Sequence, residues 1–241
     1  LAAELLALRP DVIIAPGPAA AAAFRVDSKV PLLVMGDPVL AQQAIDERNP
    51  GGRVTGVNIL FQPLNIKRME FLAEVVPRGS AVMVIATPAA REVSVPELQA
   101  TCERLGLRMH TAYAESEATL DDALQQAAQL KVAGINQLNS PILWGLRQRT
   151  YRAAEALRIP AIYQWAEAAA EGGLMAYGPR NPEMWRQMMR ITKRVLDGEA
   201  PGSIPIESPT LIHLALNRTS AERIGSSFPP SLLARADEVV V

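Results

Sequence analysis

Gly172-Gly173-Leu174-Met175-Ala176-Tyr177-Gly178-Pro179 sets a short apolar strand between glycines that allow sharp backbone turns. Strand and helix patterns alternate before it; after it come one long amphipathic helix, a proline-rich connector and a tail. The stretch therefore reads as a crossing strand, in a chain that builds one α/β unit, builds a second, and then returns to the first. Gly173 and Gly178 are the expected bending points of this hinge, with Asn58 at the end of an earlier strand as the companion crossing.

The patterns on the N-terminal side come in two series. Asp11 to Ala15 is a β-branched run followed by the loop Pro16-Gly17-Pro18 and an Ala-rich helix start at Ala19. Pro31 to Met35 repeats the pattern, with the loop Gly36-Asp37-Pro38 and a helix expected through Gln42 and Ile45. Val54 to Asn58 ends the first series. In the second series the expected strands are Ala81–Ala86, Arg108–Tyr113, Gly134–Leu138 and Pro160–Tyr163, each separated from the next by a helical pattern. Gly106 stands where a helix C-terminus is expected. Beyond the hinge, Met184, Met188, Ile191 and Val195 recur at helical spacing, so the methionines read first as core filler. Thr210 to Leu216 is the last expected strand.

The fold class that follows is α/β, with two doubly wound parallel-sheet lobes joined by a multi-strand hinge. Lobe 1 takes residues 1–58 and 174–205; lobe 2 takes 59–173 and 206–241. The 241 residues, 49% hydrophobic and only 5% aromatic, suit helices packed on parallel sheets.

Composition excludes several functions. The net charge of -1 comes with no long run of one sign, which argues against nucleic acid and against a polybasic membrane surface. Cys102 is the only cysteine, so neither an intrachain disulfide nor a multi-cysteine metal site is available. No phosphate-binding loop, dinucleotide fingerprint or nucleophile elbow is present, and no metal or cofactor is expected. His110 and His213 lie in apolar strand patterns and Cys102 in a helix, positions where structural roles outweigh catalysis.

In open α/β sheets ligands bind at the C-terminal ends of the strands. The candidate ligand contacts are accordingly Gly17, Pro18, Ala19 and Asp37 in lobe 1, and Thr87, Ser140 and Gln164 in lobe 2. Tyr163 or Trp165 supplies a stacking wall, and Tyr177 stands near the crossing. Each loop by itself is also consistent with an ordinary turn.

Further motifs carry a family resemblance. Gly172 to Pro179, Leu196-Asp197-Gly198-Glu199-Ala200-Pro201, Ile204 to Thr210, Asn217-Arg218-Thr219-Ser220-Ala221 and Pro229 to Val239 resemble, in order and spacing, the ABC-transporter substrate-binding protein family. Asp37-Pro38, Asn49-Pro50-Gly51-Gly52 and Ser140-Pro141 fit the same pattern. The resemblance implies a type I periplasmic binding protein, periplasmic or lipid-anchored, that closes two lobes on a small molecule such as an amino acid or related carboxylate and presents it to an ABC permease. No catalysis is implied. One departure stands in the first loop: where the family has Gly-Thr-Pro, Gly17 is followed directly by Pro18, which removes a hydroxyl donor. A second is the beginning at Leu1, without Met or a signal segment. About 60 to 80 upstream residues are expected from the family, leaving the first lobe incomplete and its sheet open to dimerisation or strand exchange. Two other readings stay open: a ligand-sensing domain of a signalling or regulatory protein, and an enzyme on the same lobes using Asp37, His110 or Cys102.

Overall fold

The apolar runs assemble into two separate sheets in the computed structural model, which describes residues 2–26, 29–37 and 43–241. Unit 1 comprises Leu1–Leu60 and Asn181–Leu211; unit 2 comprises Phe61–Arg180 and Ile212–Val241.

In unit 1, β1 (Ile13–Pro16), β2 (Leu32–Gly36) and β3 (Val54–Asn58) form a parallel sheet in the order β1-β2-β3. Every residue of β2 and β3 is buried, as a run covered on both faces requires. One face, through Leu32, Val34 and Val54, packs on Ala20 and Ala23 of the helix Pro18–Phe24. The helix Asn181–Leu196 packs on β2 and β3, and its Met184, Met188, Ile191 and Val195 are all buried. Gly56 is needed where β3 meets β2: its φ is +147°, and a Cβ there would lie 2.0 Å from the Val34 carbonyl oxygen.

In unit 2 seven strands follow in sequence: β4 (Ala81–Ala86), β5 (Arg108–Tyr113), β6 (Ile135–Gln137), β7 (Ala161–Tyr163), β8 (Met175–Gly178), β9 (His213–Asn217) and β10 (Glu238–Val240). Their order in the sheet is β10-β9-β8-β7-β6-β4-β5, and all pairings are parallel except β8 with β9. Alternation along β4 serves two cores. Met83 and Ile85 join Leu120 and Ala123 of the helix Glu117–Gln129 and Tyr151 of the helix Arg147–Leu157. Val82 and Val84 join Met69 and Leu72 of the helix Phe61–Ala73 and Leu98 and Cys102 of the helix Val95–Leu105.

Three expectations change. The lobe boundary placed after Gly173 falls after Arg180, because β8 pairs with β7 and β9 inside the sheet of unit 2. Residues 206–211, placed with lobe 2, belong to unit 1: Asn58 N–H donates to Glu207 O at 2.8 Å and Glu207 N–H to Gly56 O at 3.0 Å, so this segment runs beside β3. Ile45, expected in a helix, lies in a bend, while Gln42 and Pro38 fall outside the described residues. The tail from Ile212 on lies in unit 2, where its end forms β10 and Asp237 Oδ2 accepts from Leu214 N–H at 2.7 Å.

Candidate functional site

Each sheet gathers its loops at one edge. In unit 1 the parallel strands bring Gly17, Asp37 and Asn58 to the C-terminal edge. Gly17 donates its N–H to Met35 O at 3.0 Å, so that donor is already used by the sheet. Ala19 is exposed and Asp37 half-buried; of Pro18 only the backbone at the helix start is described. Asn58 is a structural tie as much as a crossing residue, since its amide donates to Glu47 Oε1 at 2.6 Å and its Oδ1 accepts from Leu60 N–H at 2.8 Å.

In unit 2 the C-terminal ends of β4, β6, β7 and β8 place Thr87, Ser140, Gln164, Trp165 and Gly178 along one edge. Thr87 is buried ahead of a short turn of 3₁₀-helix. Ser140 caps the helix Pro141–Gly145: its Oγ accepts from Ile142 N–H at 3.2 Å and Leu143 N–H at 3.4 Å, which leaves its hydroxyl hydrogen as the remaining donor. Trp165 is buried edge-on against Trp144, with ring centroids 6.4 Å apart, and the Arg147 guanidinium covers the other ring at 4.2 Å. Arg147 is held charged above its ordinary range by its hydrogen bond to Glu171.

Three aromatic or glycine positions have structural duties. Tyr163 is buried edge-on against Tyr151 at 4.6 Å, and burial pushes its phenol well above the ordinary range. Its ring belongs to the core. The Tyr177 ring packs on Phe71 at 4.9 Å. Gly173 precedes β8 at the opposite edge from the crossing, and a Cβ there would lie 2.9 Å from Ala168 O and 3.0 Å from the Tyr163 ring. Close packing accounts for this glycine, and the chain leaves unit 2 beyond Gly178 instead.

Sequence reasoning passed over the most unusual group in unit 2. Arg68, on the helix Phe61–Ala73, is 1% exposed; Nη1 donates to Tyr177 O at 2.8 Å and Nη2 to Asn65 Oδ1. Burial lowers its pKa to about 9, so it remains cationic at neutral pH. Its Nε is buried with no partner, as are both amide atoms of Gln164 and of Asn136 on β6. Asn65 and Arg68, three residues apart among Leu64, Met69 and Leu72, were the available signal: a polar pair on the apolar face of a helix.

Among the described residues no group of His, Cys, Asp and Glu could hold a metal ion. Cys102 is fully buried, and burial pushes its thiol up to about 11, far from a nucleophile at neutral pH.

A family profile described as ABC transporter substrate binding protein matches residues 1–240. The chain belongs to this family. No curated protein matches it. Among solved structures, a conserved domain protein from Vibrio cholerae is 25% identical, with a TM-score of 0.87, and the match covers 99% of this chain and 81% of that one. An ABC domain in complex with L-Trp from Streptococcus pneumonia is 20% identical, with a TM-score of 0.86 over 99% and 82% of the two chains. An ABC transporter solute binding protein from Agrobacterium vitis, bound with alpha-D-tagatopyranose, shares 14% identity and a TM-score of 0.63 over 98% and 82%. The fold is therefore that of the type I periplasmic binding proteins. Membership supports a solute-binding role, and the family consists of binding proteins, not enzymes. The ABC substrate-binding family is typically extracytoplasmic; among the described residues no helix is long and apolar enough to cross a membrane.

Proposed function

We propose that this chain is the extracytoplasmic solute-binding component of an ABC importer, and that it captures a small molecule, an amino acid or related carboxylate, by closure of its two units. The observation that carries the reading is the pair of α/β units with loops collected at the C-terminal edge of each sheet, in a chain that belongs to a substrate-binding family. Gly17, Ala19 and Asp37 are the candidate contacts from unit 1, and Thr87, Ser140, Gln164 and Trp165 those from unit 2. Ligand contacts made only in the closed form shift the population toward it. The amino-acid class takes its support from the Streptococcus protein in complex with L-Trp. The ABC permease is the partner such a component delivers to.

A thermal-shift screen with L-tryptophan, the other L-amino acids, small carboxylates and D-tagatose tests this. A ligand bound only by the folded chain stabilises it by about 2.7 kcal/mol at one hundred times its Kd, enough to raise the melting temperature by several degrees. Saturable stabilisation by an amino acid or small carboxylate is the expected result. Stabilisation by the sugar alone overturns the substrate class, and no stabilisation by any of these compounds overturns the binding role as stated.

A further inference from the structure

Among the described residues the two sheets present four edges, and three of them are covered or short. The outer side of β3 lies along the segment at Glu207, β10 has three residues, and β1 has four and ends in Pro16, which has no N–H to offer. β5 is the exception. It runs six residues in unbroken register with β4, without proline or bulge, and no described strand lies on its other side. Such an edge is a template for a further strand, and proteins ordinarily blunt one.

The pairing with β4 decides which backbone groups this edge presents. Arg108 N–H donates to Ser80 O at 2.9 Å and Ala114 N–H to Ala86 O at 2.8 Å, so the even-numbered residues turn their amides toward β4. Met109, Thr111 and Tyr113 turn theirs outward, and all three are half-buried. The two ends of the strand differ in charge. Arg108 is exposed at the start, where its Nε reaches Gly79 O at 3.3 Å, and Glu115 is exposed just past the end; neither forms an ion pair among the described residues.

We propose that a second copy of this chain docks on β5, the two β5 strands pairing antiparallel about a twofold axis at Thr111. Twofold symmetry makes one patch meet itself, so the strand must be complementary to its own reverse. In this register Met109 opposes Tyr113 of the other copy and Thr111 opposes its own counterpart. The outward N–H and C=O groups of all three residues are then paired, and the two seven-stranded sheets become one. The same axis sets Arg108 beside Glu115 of the other copy, twice over, so charges that differ along one strand attract across the pair. That complementarity selects a second copy over an unrelated peptide, which would have to bring its own acid and base to these places. A parallel pairing would set like charges side by side. The docking does not depend on what solute the chain binds.

Sedimentation velocity of the full chain across a dilution series should show a reversible equilibrium between monomer and dimer. Thr111→Cys should form an interchain disulfide under mild oxidation, because opposed residues of a hydrogen-bonded antiparallel pair have Cα atoms about 5.5 Å apart. Met109→Cys should not, since it opposes Tyr113 and its own counterpart is out of reach; Cys102 is buried in both variants. Arg108→Glu and Glu115→Arg should each weaken the dimer by about tenfold, as attraction turns to repulsion at two places, and the double variant should restore it. Both charges are exposed, so these substitutions test the pairing without disturbing a core. A chain that stays monomeric at every concentration overturns the proposal. So does a dimer in which Met109→Cys crosslinks as readily as Thr111→Cys, or one that both single charge variants leave unchanged, since each result places the contact elsewhere.

Discussion

Gly178 lies directly against the backbone of Gln164: a Cβ on the glycine would come within 1.8 Å of the Gln164 carbonyl oxygen and 3.0 Å of its carbonyl carbon. No side chain of any size fits, and the obstacle is main chain that cannot rotate away. Gly178→Ala should therefore destabilise unit 2 by about 3 kcal/mol or more, beyond the usual cost of overpacking a core. Gly79→Ala is the control. Gly79 sits at φ +77° with nothing within 4 Å of its Cβ position, so it should lose only about 1 to 2 kcal/mol to backbone strain. Urea unfolding of both variants separates steric exclusion from conformational preference; equal losses would contradict the assignment.

Asn217 ends β9 and ties down two backbone groups. Its Nδ2 donates to Ala169 O at 2.7 Å, and its Oδ1 accepts from Ser220 N–H at 2.7 Å, capping the helix Arg218–Arg223. The side chain is buried, so Asn217→Ala leaves the Ser220 N–H without its partner and Ala169 O with only the Gly172 N–H at 3.3 Å, and should cost about 1 to 3 kcal/mol. Asn217→Asp retains the cap and loses the donor, so its loss in urea unfolding should be smaller. Hydrogen exchange at the Ser220 amide should accelerate in the alanine variant and much less in the aspartate variant.

Arg53 performs a comparable task in unit 1. Nη1 donates to Val30 O at 3.0 Å, and Nη2 lies 2.9 to 3.1 Å from Ala23 O, Phe24 O and Val26 O, so one guanidinium collects carbonyls from the end of the helix Pro18–Phe24 and the start of β2. A cation at a helix C-terminus also meets the negative end of its dipole. Arg53→Met should cost about 2 to 3 kcal/mol, as for loss of charge-assisted hydrogen bonds. Arg53→Lys should fall between, because an ammonium keeps the charge and loses the planar fork. A lysine variant as unstable as the methionine variant would show that geometry outweighs charge.

Ala81–Ala86 was legible because burial on both faces imposes a continuous apolar stretch, and both it and the half-buried edge strand Arg108–Tyr113 match their expected limits. The methionine stripe of the helix Asn181–Leu196 was equally clear. Crossing points were harder to read. A glycine chosen for close packing, Gly173, looks in sequence like one chosen for bending, and only the pairing of β8 inside the sheet separates them. The connector at 206–211 gave no sign of its hydrogen bonds to β3, which depend on backbone groups that every residue carries. Among the edge residues, loop positions after strands were readable from order alone. Arg68 was hidden because a charged residue on a helix ordinarily reads as solvent-facing.

Alkaline pH tests the burial of Cys102. Its thiol is raised from 9.0 to about 11, first by burial and then by the charge of Glu103. Between those values the folded chain keeps a proton that the unfolded chain has lost, so the unfolded state binds fewer protons and stability falls as pH rises. The contribution is complete below pH 9 and disappears on passing about pH 11. Burial also raises the Tyr151 and Tyr163 phenols, so wild-type protein alone cannot isolate the cysteine. Cys102→Ala keeps both tyrosines and removes the thiol. The gap in urea midpoint between wild type and this variant should therefore narrow, or shift in favour of the variant, from pH 9 to pH 10.5. Over the same range a disulfide reagent should modify the folded wild type slowly and the urea-unfolded chain at once. A gap that stays constant with pH, together with rapid modification of the folded chain at pH 8, would place the thiol in solvent and contradict its packing between the helix Val95–Leu105 and β4.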